Sequence, residues 1–335
     1  MEKTNGTLPT TSFTKDDLHR KAAMSRKGII AALAYMGCAV MLVMFNKAAL
    51  SSYGFPCANV ITLLQILCSN VLLYCLRSWN LINFGKDPRT DLLLKGLVPY
   101  QMLLKTSPLS IAYLFYMIVG MASIRGVNVP MYTTLRRTTV FFTLVIEYLL
   151  LGQKYSRYVV SSVGIIVLGA LVAGSRDLSF NMQGYLIVIL SNVTTAIYLT
   201  TIAHFGKTSG LNSFGLMWCN GMICGPVLFV WTLLSGELGI ALNFPQLQAA
   251  QFQLVVIASC TLAFFLNYTI FLNTTLNSPL TQTICGNLKD LATVVLGWVW
   301  FGGLPFDLVN VLGQSLVAKP AKFVRQSGGH QAEDT

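Results

Sequence analysis

Charged residues are scarce in this sequence of 335 residues. Only 10% of its side chains are Asp, Glu, Lys or Arg, whereas 54% are hydrophobic, and the mean hydropathy is +0.62. A soluble domain carries about a quarter charged residues. This chain has too little charge to cover a water-exposed surface. The composition therefore excludes a soluble globular protein and predicts an all-α polytopic membrane protein.

Acidic residues are scarcer than basic ones, 12 against 23, and the formal net charge is +11. Such an excess can indicate a nucleic-acid-binding protein. Here, however, the lysines and arginines fall mostly in short loops and tails between apolar segments, not in one patch. We therefore predict a lipid bilayer as the environment and no nucleic-acid partner.

Paired cysteines and catalytic motifs are also missing. The eight cysteines are scattered singly in apolar segments without zinc-knuckle or redox spacing, which predicts buried small hydrophobic side chains. The three histidines fall near loops or tails, and the chain has no P-loop and no nucleophile triad. The sequence thus predicts a protein that is not an enzyme and that uses no metal and no cofactor.

Long apolar runs are abundant, and a membrane-spanning helix needs about 20 such residues. We predict ten spans, at 29–50, 57–76, 106–124, 129–151, 158–174, 183–204, 214–234, 252–274, 280–301 and 306–318. The tenth has 13 residues, about 20 Å of helix against a core of about 30 Å, so we expect it to be short or truncated. Segment 89–105 is predicted to lie along the cytosolic interface, and 1–28 and 319–335 are predicted to be polar cytosolic tails.

The basic residues predict the orientation. With the N-terminus in the cytosol, 17 of the 23 lysines and arginines lie on the cytosolic side, two lie on the other side and four lie within spans. Cytosolic loops are the ones enriched in Lys and Arg. Both termini are therefore predicted to be cytosolic.

A weak internal repeat relates span four to span nine. Pro130 and Pro279 each have a threonine four residues later and a glycine 34 residues later. The two spans run in opposite directions, as in the inverted repeats of secondary transporters. We therefore predict two five-helix halves, 29–174 and 175–318, with a substrate site between them near the membrane midplane.

Four cations and two carboxylates are predicted to lie within spans: Lys47, Arg136, Arg137, Lys289, Glu147 and Asp290. Each has a simple structural alternative. Lys47 can snorkel to the interface, Lys289 can pair with Asp290, and Glu147 can be solvated at the end of its span. The surplus of two positive charges is expensive in a membrane unless an anion shares the cavity. It predicts a phosphorylated substrate such as a diphosphate ester, which arginine binds with two parallel hydrogen bonds.

Polar and aromatic side chains within the later spans predict a wet cavity. They are Asn192, Tyr198, Trp218, Asn220, Asn267, Gln282 and Asn287, with Gly286 beside the cation of span nine. The structural alternative for the amides is hydrogen bonding between helices, and for the aromatic rings it is packing. A glycine beside the cation lets the backbone approach a ligand closely.

Several motifs carry a resemblance to a known family. FNKAAL ends span one, PMYTTLRRTTV belongs to span four, GLMWCNG lies in span seven, and TICGNLKDL and FGGLPFD flank span nine. Through them, residues 30–316 resemble a nucleotide-sugar transporter of the drug/metabolite transporter superfamily. They are similar to the animal UDP-glucuronate/UDP-N-acetylgalactosamine carriers and most similar to plant Golgi carriers of UDP-N-acetylglucosamine.

This resemblance implies ten helices and alternating access, with cytosolic UDP-sugar exchanged for lumenal UMP. UDP-N-acetylglucosamine is the expected cargo. UDP-N-acetylgalactosamine, UDP-glucuronate, UDP-xylose and a triose phosphate are the alternatives. The Golgi membrane is the expected location, with the endoplasmic reticulum as the alternative. A homodimer, a multispan membrane enzyme and an inactive variant with a failed tenth span remain open.

The hypothesis of a UDP-sugar carrier assigns roles to particular residues. Arg136, Arg137 and Lys289 are expected to hold the diphosphate. Trp218, Asn220 and Tyr198 are expected to surround the uridine, while Asn46, Lys47 and Gln282 face the sugar or gate the site. The remaining expected substrate-binding residues are Tyr132, Asn192, Asn267, Gly286 and Asn287.

Two departures argue against a GDP-mannose carrier. Such carriers have F-Y-N-N in span seven, where Asn220 matches the first Asn but Gly221 replaces the second. They have G-A-L-N-K in span nine, where Lys289 and Asp290 stand at the positions of Asn and Lys. The pattern resembles the UDP-sugar branch instead.

Overall fold

The structure is a computed structural model that describes residues 25–47, 49–50, 53–86, 100–125, 127, 129–174 and 182–301. Eleven helices lie within these residues, which confirms the all-α prediction. They are α1 (Arg26–Lys47), α2 (Ala58–Ser78), α3 (Tyr100–Arg125), α4 (Val129–Arg136), α5 (Thr139–Leu151), α6 (Arg157–Gly174), α7 (Met182–Thr208), α8 (Ser213–Leu234), α9 (Glu237–Leu242), α10 (Ala250–Leu276) and α11 (Pro279–Phe301).

Six of these helices are long and apolar enough to cross a membrane: α1, α2, α3, α7, α8 and α10. Their apolar spans have 21 to 27 residues, or roughly 30–40 Å at 1.5 Å per residue. The chain is therefore a multi-pass membrane protein. The predicted tenth span, most of both tails and the first part of segment 89–105 lie outside the described residues.

Helix α3 begins earlier than the sequence indicates. It starts at Tyr100, so residues 100–105 continue a span and do not form a separate interfacial segment. Pro108 lies inside this helix and removes one backbone donor. The Ser107 hydroxyl donates instead to the Leu104 carbonyl at 2.8 Å, the group that the missing N–H would have reached. The helix therefore continues through the proline.

Span four is divided into two helices. The prediction of one continuous helix over 129–151 is wrong at Arg137–Thr138, where a turn separates α4 from α5. Thr138 N donates to Leu135 O at 3.0 Å and Phe141 N to Thr138 O at 2.9 Å, both to the third residue before. This is the tighter 3₁₀ pattern, which often marks a hinge within a helix. Both arginines lie at the break.

Helix contacts recur between the two halves of the chain. Helix α3 packs along α7, as α10 packs along α1. Helix α5 contacts α7, as α11 contacts α1, and α8 contacts α3, as α10 contacts α2. In each of these comparisons, the two helices of the second pair are the spans that lie five positions away, along the chain, from the two helices of the first pair. The α4–α5 break lies between α7 on one side and α11 on the other.

Two apolar clusters close the ends of the bundle. At the end where α2 stops and α8 starts, Phe84 stacks on Trp218 with ring centroids 5.7 Å apart. Gly85 and Leu211 there form an isolated antiparallel bridge between two loops. At the opposite end, Phe55 packs against Phe244 and Phe252.

Candidate functional site

Arg136 points from the end of α4 toward α7. Its guanidinium donates to the Ser191 hydroxyl at 3.2 Å and to the Thr195 hydroxyl at 3.1 Å. It also lies over the Tyr132 ring, 5.9 Å from the centroid. Within the described chain, no carboxylate lies at ion-pair distance from Arg136. The side chain is half-buried, and its hydrogen-bond partners among the described residues are two neutral hydroxyls.

Asn192 clasps the break between α4 and α5. It is fully buried. Its amide nitrogen donates to the Leu135 carbonyl at 2.9 Å and to the Thr138 hydroxyl at 3.0 Å. Its amide oxygen accepts from the Thr139 hydroxyl at 2.9 Å. The amide is thus used within the protein, and its contacts are those of a residue that fixes the turn carrying the arginines.

Arg137 lies on the α11 side of the break. Asn287 donates to its backbone carbonyl at 3.5 Å, and its guanidinium is within electrostatic range of Asp290. Lys289 Nζ contacts Asp290 Oδ1 at 2.6 Å, so the ion pair that was the structural alternative for Lys289 is present. The structure therefore brings Arg137, Lys289 and Asp290 into one charged group at the middle of the bundle.

Two tyrosines complete this group, and the sequence interpretation missed both. Tyr35 of α1 and Tyr116 of α3 are within electrostatic range of Lys289. The Tyr35 hydroxyl lies 3.6 Å from where a Cβ on Gly286 would stand. A usable signal existed in the sequence, because both rings fall in the middle of apolar spans, away from the interfaces where tyrosine is usually enriched.

The residues expected to surround uridine lie elsewhere. Trp218 is buried against Phe84. Tyr198 is buried and stacks on Tyr116 with centroids 5.4 Å apart. The Asn220 amide oxygen accepts from the Cys224 thiol at 3.6 Å. Of the three, Tyr198 alone touches a member of the central group.

The other predicted polar residues form links between helices. Asn46 accepts from Gln65 at 3.0 Å and from Ser259 at 2.7 Å, which joins α1, α2 and α10. Gln282 accepts from the Asn273 amide and joins α11 to α10. The side chain of Lys47 lies outside the described atoms. Asn267 is half-buried, and its side chain makes no hydrogen bond to a described residue.

Glu147 is not the solvated residue that its place near the end of span four suggested. Its side chain is 2% exposed, and its carboxylate accepts from the backbone N–H of Leu280 at 3.1 Å. Leu280 is in the first turn of α11, where N–H groups lack helical partners and a negative charge is favourable. Burial and the nearby Glu147 charge raise the pKa of Tyr155, in the loop after α5.

No second site of comparable charge is found among the described residues. An open depression of about 650 Å³ at the Phe55 end of the bundle is lined by glycine, proline, isoleucine, asparagine and phenylalanine, without a charged group. The described chain contains no cluster of metal-ligating side chains. All eight cysteines are free thiols.

Comparison with known proteins gives relatives of one kind. The chain is 62% identical over 300 residues to the UDP-N-acetylglucosamine transporter UGNT1 of Arabidopsis thaliana, covering 89% of this chain and 87% of that one. It is 32% identical to the UDP-sugar transporter UST74c of Drosophila melanogaster, over 90% of this chain and 79% of that one. It is 30% identical to the nucleotide sugar transporter SLC35D2 of Mus musculus, over 86% and 85%.

A solved crystal structure has a similar fold. It superposes with a TM-score of 0.61 at 14% identity and covers 91% of this chain and 99% of its own. The model of the Triose-phosphate Transporter family matches residues 26–319. Family and relatives are carriers, which confirms the prediction of a transporter and not an enzyme. The chain belongs to the Triose-phosphate Transporter family.

Proposed function

We propose that the protein carries UDP-N-acetylglucosamine from the cytosol into the Golgi lumen in exchange for UMP. The observation that carries this proposal is the 62% identity, over nearly the whole of both chains, to a UDP-N-acetylglucosamine transporter. The more distant relatives are named as UDP-sugar or nucleotide-sugar transporters as well.

The central charged group suits the proposed substrate. A UDP-sugar carries about two negative charges on its diphosphate, and Arg137, Lys289 and Arg136 can meet them from α11 and from the α4–α5 break. Tyr35 and Tyr116 add hydroxyl groups beside Lys289. A half-buried cluster of cations is expensive in a membrane, and an anionic cargo that enters it offsets this cost.

The proposed scaffold is a ten-helix inverted repeat of two five-helix halves, 29–174 and 175–318, which works by alternating access. The recurring helix contacts support it, because spans three and six pack as spans eight and one do. The excess of lysine and arginine in one set of loops supports cytosolic termini. In carriers with inverted repeats the substrate site lies near the midplane between the halves, and Lys289 and Asp290 fall near the middle of α11.

Exchange from liposomes tests the proposal. The purified protein is reconstituted, loaded with UMP and offered a panel of radiolabelled nucleotide sugars, with protein-free liposomes and unloaded proteoliposomes as controls. We expect UDP-N-acetylglucosamine uptake that depends on internal UMP. Uptake of GDP-mannose without any UDP-sugar contradicts the proposal. Preference for UDP-glucuronate, UDP-xylose or a triose phosphate corrects the cargo and keeps the carrier.

A further inference from the structure

Asp290 is an unusual residue for a site that binds phosphates. Of the two carboxylates in the spans, Glu147 is buried and held by a backbone N–H, whereas the Asp290 side chain is 51% exposed. It lies in the middle of α11, one position after Lys289. The exposed fraction of the Lys289 side chain is 23%. A negative charge therefore remains about half exposed beside Lys289, which is itself partly exposed.

Asp290 forms an ion pair with one cation and lies near a second. It contacts Lys289 Nζ at 2.6 Å and lies within electrostatic range of the Arg137 guanidinium on α5's side of the bundle. Asn287, three residues before Asp290 on α11, donates to the Arg137 carbonyl at 3.5 Å and keeps the turn close to α11. The carboxylate thus pairs with Lys289 Nζ, a cation that a phosphate oxygen could contact instead.

We propose that Asp290 is the internal counter-ion of the empty carrier: it holds Lys289 and Arg137 when no substrate is bound and yields them to the phosphates of a uridine nucleotide. This inference rests on the proposed function. Without the carboxylate, the empty site would carry unbalanced positive charge, which is expensive when the cavity closes and water leaves. With it, one of the two positive charges of Lys289 and Arg137 is balanced, and the substrate must displace an anion in order to bind.

Two consequences follow from this competition. Removing the charge of Asp290 frees both cations, so a nucleotide should bind more tightly. It also leaves the empty carrier with uncompensated charge, so the return of the empty site across the membrane should slow. Exchange of one nucleotide for another avoids the empty state and should slow much less. A ligand acts on the two states only through its differential interaction with them.

The test compares the wild type with Asp290→Asn, using Asp290→Glu as the conservative variant and Glu237→Gln as the matched control. Glu237, the first residue of α9, accepts from Asn59 at the Phe55 end of the bundle. Its replacement therefore removes a carboxylate that lies away from the central group. Binding of UMP and of inorganic diphosphate to the purified full chain is measured by calorimetry. Thermal midpoints without ligand are recorded for every variant.

We expect Asp290→Asn to bind UMP about tenfold more tightly, which is about 1.4 kcal/mol, with an unchanged midpoint. Glu237→Gln and Asp290→Glu should bind UMP as the wild type does. In proteoliposomes, the ratio of exchange to uptake into UMP-free vesicles should rise several-fold for Asp290→Asn. Asp290→Ser is the second neutral variant if the first one does not fold.

Equal or weaker UMP binding by a folded neutral variant overturns the counter-ion role. A lowered midpoint together with parallel losses in exchange and uptake overturns it too, because it shows a structural ion pair. If neither the wild type nor any variant binds UMP, but Asp290→Asn binds diphosphate more tightly than the wild type, the proposed uridine cargo fails and the counter-ion role stands.

Discussion

Arg136 and Arg137 are neighbours in the chain, yet the two sides of the α4–α5 break surround them differently. On the α7 side, Arg136 contacts two hydroxyls and Asn192 uses its whole amide on the turn. On the α11 side, a half-exposed carboxylate pairs with Lys289 and lies near Arg137. The first side is satisfied inside the protein, and the second is charged and open.

The two sides show how a polar residue in a span can be assigned to structure or to ligand binding. A buried amide or hydroxyl with all its hydrogen bonds made within the protein gains nothing from a ligand. A charged group with solvent access retains binding capacity, and its cost in the membrane falls when an opposite charge arrives. We therefore expect substrate affinity to depend chiefly on the α11 side and stability on the α7 side.

The largest effect is expected from the α11 side. Lys289→Gln and Arg137→Gln should each weaken UMP binding by roughly 10–100-fold, because each removes a charge-assisted hydrogen bond worth about 1.5–3 kcal/mol. Arg136→Gln should weaken it less, because its guanidinium already contacts Ser191 and Thr195. Calorimetry with UMP measures all three. Equal losses in the three variants would contradict the distinction between the two sides. Unimpaired UMP binding by a variant that combines all three changes would contradict the anion site.

The α7 side should respond in stability. Asn192→Leu removes three hydrogen bonds and leaves the Leu135 carbonyl and the Thr139 hydroxyl buried without this partner. We expect a loss of about 2–4 kcal/mol, seen as a lower thermal midpoint. Thr200→Ala is the matched control, since that buried hydroxyl of α7 bonds only its own helix, at Ala196. A larger loss of stability for the control than for Asn192→Leu would contradict the role of Asn192 in holding the turn.

Apolar length and charge placement predicted much of the fold, whereas the break in span four was beyond them. Neither proline nor glycine lies between Arg136 and Thr139, so no local residue signals a turn. The turn is held by Asn192, 53 to 57 residues later in the chain. Hydropathy patterns report which residues avoid water, and a backbone break that is stabilised by a distant amide leaves no trace in them.

The sequence singled out the cations that the structure brings together, Arg137 and Lys289, and did not single out Tyr35 and Tyr116 beside them. Burial cost singles out Arg137 and Lys289 from sequence alone, because a charge in a span needs a reason. Aromatic rings carry no such constraint: Trp218 can stack on a base or on Phe84, and the choice depends on a loop that folds over it. Glu147 was misassigned for a similar reason, since the first turn of α11 covers it.

A smaller effect is expected at Glu147, which lies on α5 and accepts a hydrogen bond from the first turn of α11. Glu147→Gln keeps an acceptor for the Leu280 N–H and removes the charge that favours the helix N-terminus. We expect a loss of about 1 kcal/mol in stability with little change in UMP affinity. The same change removes the charge that helps to raise the Tyr155 pKa, so that pKa should fall. Thermal unfolding and UMP calorimetry measure the effects on stability and on affinity, and an unchanged thermal midpoint would contradict this contact.

The smallest effect on binding is expected where the sequence suggested uridine. Trp218→Phe replaces an indole that is buried against Phe84 with a smaller ring, so it should lower the thermal midpoint. UMP affinity should stay within about twofold of the wild type. Tyr198→Phe keeps the stack on Tyr116 and removes only a hydroxyl, so it is the conservative partner to this variant. A tenfold loss of UMP affinity in Trp218→Phe at an unchanged midpoint would place the base at this end of the bundle. The open side of the break would then bind only the phosphates, and recognition would be divided between α8 and α11.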